Sequence, residues 1–256
     1  MNDFRADRRS IVFIHGVTGS CSAWFEYEEF FKDKYNLLTL DLRGHGCSFK
    51  RKELDDYAVE QCAEDVSEIL KQASFGQFII VSHSFGTLVA IELLQVHGNR
   101  VEAAIFLSPA YNLQDAKSKS MVPILKLATA VFRVFPFSSA VRGRTDYSRF
   151  RNTGDWNLRR MFADIRNTSL RAHLFCLMQI YRYDQSNKWT LPVPVLVIHG
   201  LKDTLIPVEH ARWLKAARPL VKLIILERGD HIIILNNAAE ICRAISEFIF
   251  ESLPKI

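Results

Sequence analysis

No stretch of this chain is apolar for long enough to cross a bilayer. The opening residues, Met1 to Arg9, are polar and lack the apolar core of a secretory signal. Cysteine is sparse. The five (Cys21, Cys47, Cys62, Cys176 and Cys242) are odd in number and scattered, which argues against a disulfide framework and fits reduced thiols. Together these absences predict a cytoplasmic protein. Charge of one sign is also in short supply. Lys and Arg number 33 against 28 Asp and Glu, a net +5, and no nucleic-acid-binding module accompanies it. No nucleic-acid partner is expected. The mild excess leaves room only for weak association with a membrane surface or acidic substrates, beside plain solubility.

What the 256 residues do contain is apolar sequence in short bursts, 48% hydrophobic in all. That suffices for one large α/β domain with a substantial core. The run Phe78-Ile79-Ile80-Val81-Ser82-His83-Ser84-Phe85-Gly86-Thr87-Leu88-Val89-Ala90 is the most informative of them. Four apolar residues, three β-branched, meet a cluster of small residues, and an apolar helical pattern follows at once. This predicts a buried strand, a turn with almost no loop, and a buried helix over residues 87–96. A serine at such a turn is pushed out of the backbone. Small neighbours are needed because strand and helix nearly touch, and Ser82 and Gly86 supply them. The amide after the serine sits at a helix N-terminus, where partial positive charge collects.

Short apolar strands are predicted at residues 10–14, 37–40, 101–107, 193–198 and 220–226, alternating with helices at 22–32, 57–73, 208–217 and 238–250. Such alternation is the signature of a parallel sheet with crossover helices. It stops between Tyr111 and Trp189. There, Met121, Ile124, Leu125, Ala128, Phe132 and Phe135 follow helical spacing before Pro136. A second helix carries Leu170, Leu174, Leu177, Met178 and Tyr181. Between them lies a basic, aromatic stretch including Arg142, Arg144, Tyr147, Arg149, Phe150 and Arg151. No metal-ligand cluster or phosphate loop appears in this region. The division expected is a core of residues 1–110 and 190–256 with a helical insertion at 111–189. The insertion either walls an apolar pocket or simply buries its helices on the core.

Several loops after the strands carry recognisable motifs. Ser82-His83-Ser84-Phe85-Gly86 resembles the G-x-S-x-G elbow of the α/β-hydrolase family, with serine in place of the first glycine. His15-Gly16 follows the first strand. Asp41-Leu42-Arg43-Gly44-His45-Gly46-Cys47-Ser48 resembles that family's D-x-R-G-H-G-x-S loop. His199-Gly200-Leu201-Lys202-Asp203-Thr204-Leu205-Ile206-Pro207 resembles its H-G-x-x-D-x-x-x-P, and Gly229-Asp230-His231 is close to its G-x-x-H. The resemblance runs from Ser10 onward apart from the insertion. It implies an α/β fold with a mostly parallel sheet covered on both faces and a helical cap. Family members usually carry a β-hairpin or more ahead of the first of these strands. Only a short charged segment stands there, so the sheet is expected to be short of its usual N-terminal strands, or the chain to have lost its start.

By the same resemblance Ser84 is the nucleophile, His231 the base and Asp203 the acid, in the family's chain order. The amides of Val17 and Phe85 would form an oxyanion hole. Asp41, Arg43 and His45 read as structural, and Asp230 would point elsewhere. His15, Gly16, Met121, Leu125, Leu174 and Met178 are the candidate pocket residues. No metal or cofactor is implied. The activity implied is hydrolysis of a carboxylic ester with an apolar acyl chain, from a small-molecule ester or lipid substrate. Cleavage of a C–C bond, lactone or amide with the same triad stays open. So does a binding module or receptor that keeps the triad but turns over little. Epoxide hydrolases and haloalkane dehalogenases of this fold use Asp where Ser84 stands, which argues against them.

Overall fold

A computed structural model describes residues 4–73, 75–111, 116–134, 144–185 and 188–254; of residues 116–121 and 134 it describes the backbone alone. Six strands form one sheet: β1 (Ser10–Ile14), β2 (Asn36–Thr39), β3 (Phe78–His83), β4 (Val101–Leu107), β5 (Val195–Gly200) and β6 (Lys222–Leu226). Their order is β2-β1-β3-β4-β5-β6, and every pairing is parallel. The chain leaves β1 toward one edge and returns at β3 toward the other. The order therefore reverses between β1 and β3, and crevices at such reversals bind ligands in open α/β sheets.

Strands β1 and β3 are buried on both faces, which is why they read as unbroken apolar runs. Val12, Ile14 and Ile80 point into one core with Leu88 and Ile91 of α3 (Phe85–His97) and Val66 of α2 (Val59–Gln72). Ile11, Phe13, Ile79 and Val81 point into the other. That side holds Tyr27 of α1 (Phe25–Phe31) and Ile241 and Ile245 of the closing helix, residues Ala238–Ser252. The period-2 alternation of the strands thus divides the apolar residues between two helical layers.

Boundaries shift in small ways from those the sequence predicts. The first helix opens as a 3-10 turn at Cys21–Trp24, and a second 3-10 turn at Asp55–Tyr57 precedes α2. The last strand begins at Lys222, and Leu220 is almost fully exposed. The long segment between β4 and β5 departs further. Among the described residues it holds three helices where two were expected: α4 (Ala116–Val134), α5 (Leu158–Thr168) and α6 (Leu170–Arg182). Helix α7 (Val208–Ala217) and the short α8 (Ile233–Asn236) complete the set before the closing helix, α9.

Helix α5 is inverted relative to its own periodicity. Leu158 and Phe162 are 77% and 63% exposed, while Arg160, Asp164, Asn167 and Thr168 are buried. Its polar face has partners inside: Tyr147 donates to Asp164 at 2.7 Å, and Arg160 pairs with Asp164 at 3.2 Å. In α4, Leu125 is buried and Ile124 is exposed, so the two do not share a buried face. Phe135, Pro136 and Arg142 lie outside the described residues, as does the side chain of Met121. No helix among the described residues is long and apolar enough to cross a membrane.

Candidate active site

Ser84 stands between β3 and α3 with φ +52° and ψ −120°. A non-glycine residue held there costs about 1–3 kcal/mol and persists only where its surroundings fix it. Two glycines make room for this turn. A Cβ on Gly86 would lie 2.5 Å from the carbonyl oxygen of His15 and 2.6 Å from that of Ile14, so α3 could not approach β1. A Cβ on Gly16 would lie 3.0 Å from the Cβ of Ser84. Ser82, at the position of the family's first glycine, is fully buried on the strand.

Three side chains distant in sequence meet here. Ser84 Oγ lies 3.0 Å from Nε2 of His231. Nδ1 of the same ring donates to Oδ2 of Asp203 at 2.8 Å. The other oxygen of Asp203 accepts the amides of Leu205 and Ile206 at 2.9 and 2.7 Å. Burial pushes the Asp203 carboxyl upward, but the charge and hydrogen bond of His231, with smaller help from His199 and the Ile206 amide, hold it below its ordinary value. The carboxylate fixes the imidazole in the tautomer that leaves Nε2 facing the hydroxyl. Asp230 faces elsewhere, accepting the Ile232 amide and the Asn236 side chain.

The loop after β1 brings Val17 into the same cavity as Ser84 and His231. Phe85 contributes the first amide of α3, which has no acceptor within its own helix. His15 lines the cavity, but both ring nitrogens are engaged. Nδ1 donates to the Gly16 carbonyl at 2.8 Å, and Nε2 accepts the Leu42 amide at 3.0 Å. That pairing needs a neutral ring, and burial lowers its pKa accordingly. His15 thus bolts one loop to the next. Asp41 accepts the amides of Cys21 and Cys47, Arg43 grips Asp65 with two bonds of 2.7 Å, and His45 donates Nδ1–H to the Arg43 carbonyl. These bonds shape the loop and tie it to Cys21 and to α2.

A cavity of about 320 Å³ opens over Ser84. Its α6 lining comes from His173, Leu177, Ile180 and Tyr181. Leu174 and Met178 were expected there and are not part of the lining; Met178 is buried, and the helix is turned by roughly one position. Leu125 is buried and lies away from the cavity as well. Gly16 does line it. The wall is not wholly apolar, since Tyr147, Asp155, Arg160, Asp164 and His173 face inward. Burial pushes the Asp164 carboxyl up to about 6, against the pull of Tyr147 and Arg160, and lowers His173 to about 4. Arg160 and Asp164 sit on the inverted face of α5, Asp155 just ahead of it, Tyr147 before the 3-10 turn at Ser148–Phe150 and His173 on α6; none of them is a pocket residue that the sequence motifs point to. The Asn157 cap, whose side chain accepts the Arg160 amide at 2.9 Å, was the available sign of α5.

The family model described as alpha/beta hydrolase fold matches residues 9–238. The chain belongs to that family. Among curated relatives, the hydrolase fold of this chain is 24% identical to Protein ABHD8 of Homo sapiens over 253 residues, covering 96% of this chain and 56% of the relative. It is 33% identical over 133 residues to the "Probable lysophospholipase BODYGUARD 4" of Arabidopsis thaliana, covering 48% of this chain and 32% of that one. The chain spans little more than half the length of the ABHD8 proteins it matches. Among solved structures, an epoxide hydrolase of Bacillus megaterium superposes with a TM-score of 0.74 at 17% identity, over 94% of this chain and 93% of that one. At that identity the likeness speaks for the hydrolase fold alone.

Proposed function

We propose that this hydrolase-fold chain is a serine hydrolase that cleaves carboxylic esters carrying an apolar acyl chain. The observation that carries this reading is the continuous relay from Ser84 through His231 to Asp203, with links of 3.0 and 2.8 Å. In it, His231 takes the proton of Ser84 as Oγ attacks the ester carbonyl. The imidazolium is stabilised by Asp203 and then protonates the departing alcohol. The acyl group stays on Ser84 until water, deprotonated by His231, releases it as the acid. The amides of Val17 and Phe85 would hold the oxyanion.

Leu177, Ile180, Ile232 and Leu235 in the cavity wall favour an apolar acyl chain. The polar wall of Tyr147, Arg160, Asp164 and His173 favours a second reading, in which a lactone, an amide or a C–C bond beside a polar group is cleaved by the same relay. The relative named as a probable lysophospholipase is consistent with a lipid ester. Nucleophile identity separates these readings from epoxide opening through an aspartate ester, since the elbow carries Ser84. Kinetics on short and medium p-nitrophenyl esters test the proposal. Ser84→Ala should lose at least about 10³-fold in kcat while its circular dichroism stays native. Undiminished turnover in that variant would refute the assignment.

A further inference from the structure

Both main-chain groups of His231 are held by side chains from other segments. Its carbonyl accepts Nε2–H of His83 at 2.9 Å, and its N–H donates to Oδ1 of Asp155 at 2.7 Å. His83 ends β3 and is adjacent to Ser84. Asp155 belongs to the helical insertion, just ahead of α5. Its Oδ2 accepts the amide and the hydroxyl of Thr204 at 2.9 and 2.6 Å. Thr204 directly follows Asp203. One buried carboxylate therefore grips the loop of the imidazole and the loop of the acid together. Its own carbonyl is held by Nη2 of Arg160 at 2.6 Å, which anchors it to α5.

We propose that Asp155 is a positioning residue for the triad, aligning His231 with Ser84 and Asp203 and tying that alignment to the seating of the helical insertion. Its consequence for turnover rests on the serine-hydrolase reading. The physical case has two parts. A carboxylate can accept three donors from two loops at once, and ionised acceptors make the stronger hydrogen bonds. Release of the His231 peptide would let the ring drift, and a misplacement of about 1 Å can cost about 10²-fold in rate. The second part is reach. The same residue is anchored to α5 through Arg160, so the insertion and the two loops that carry His231 and Asp203 hold one another in register.

The test compares Asp155→Asn and Thr204→Val with the unmodified protein. Steady-state kinetics on a p-nitrophenyl ester give kcat and KM. The rate at which a fluorophosphonate labels Ser84 reports the reactivity of the hydroxyl without turnover. For Asp155→Asn, kcat and the labelling rate should fall together by roughly 10–100-fold, with KM within about threefold. Thr204→Val removes one of the three donors and keeps the carboxylate, so a smaller loss of both is expected. If Asp155→Asn lowers Tm but leaves kcat and the labelling rate in place, Asp155 is only a tether and the proposal falls. Should that variant not fold, Asp155→Glu retains the charge on a longer arm; it should lose kcat, and unmodified kcat in it would overturn the proposal. A protein that turns over no ester would sink the hydrolase reading, whereas the labelling rate would still judge Asp155.

Discussion

Ser84 tolerates a left-handed backbone because its neighbours leave it nowhere else to go. Its amide donates to the Leu107 carbonyl at 3.0 Å, extending the sheet by one bond, and α3 starts at the very next residue. Gly86 is the position on which this turn depends most. In Gly86→Ala the added methyl would meet backbone atoms at 2.5 and 2.6 Å, which cannot swing aside as a side chain would. Urea unfolding should show a loss of about 1–3 kcal/mol, with ester turnover falling alongside as α3 is pushed off β1. A variant with parental stability and turnover would show that the contact is softer than it looks. At this scale the sequence is legible wherever a motif is local. Ser84, Asp203 and His231 each follow a strand, and their order is visible in the chain. The bonds of His83 and Asp155 to the His231 peptide join segments 148 and 76 residues apart and leave no periodic trace.

The elements of the core were readable because the strands are short apolar runs, most of them followed by a loop motif. The insertion was not, and α5 shows why. Leu158, Met161, Phe162 and Ile165 have the spacing of an amphipathic helix, yet Leu158 and Phe162 face outward. Periodicity identifies a helix and presumes that the apolar side is buried. Here the inward side carries Asp164 and Arg160, which bond to each other and, through Asp164, to Tyr147. Helix α6 poses a milder version of the problem, because nearly all round it the residues are apolar or half-buried and only packing selects the cavity side. A pair of variants checks the rotation found here. Leu177→Trp should cut kcat/KM for esters of eight or more carbons by about tenfold or more while sparing acetate esters, since it fills the cavity. Leu174→Ala should leave the chain-length preference unchanged. The opposite pattern would restore the register that the sequence suggested.

At the scale of the whole molecule, a parallel sheet collects the ends of β1, β3, β5 and β6 on one side, and the relay assembles there without any residue leaving its own loop. The same arrangement buries several histidines. Burial holds His83 down to about 3 and His173 to about 4, against an ordinary value of 6.5. As the pH falls below 6.5, the unfolded chain takes up protons that the folded one refuses. Stability is then lost progressively between pH 6.5 and the depressed values, by up to about 1.4 kcal/mol per pH unit for each such ring. Asp203 acts in the same direction at lower pH, because its depressed pKa means that its contribution disappears as the carboxylate is finally protonated. Asp164 and Asp230, whose carboxyls burial raises, work the other way, but the lowered rings of His15, His45, His83, His173 and His199 outnumber them. Urea midpoints should therefore fall from pH 7 to pH 4.5, and His173→Leu should flatten part of that slope. A level profile would contradict the buried, neutral state of these rings. The central claim is that His231 makes one hydroxyl reactive, and labelling by a fluorophosphonate followed by peptide mapping tests it most directly. The account predicts an adduct on Ser84 in the folded protein and none in His231→Ala. A folded protein that takes no label, or one that labels equally well without His231, would contradict it.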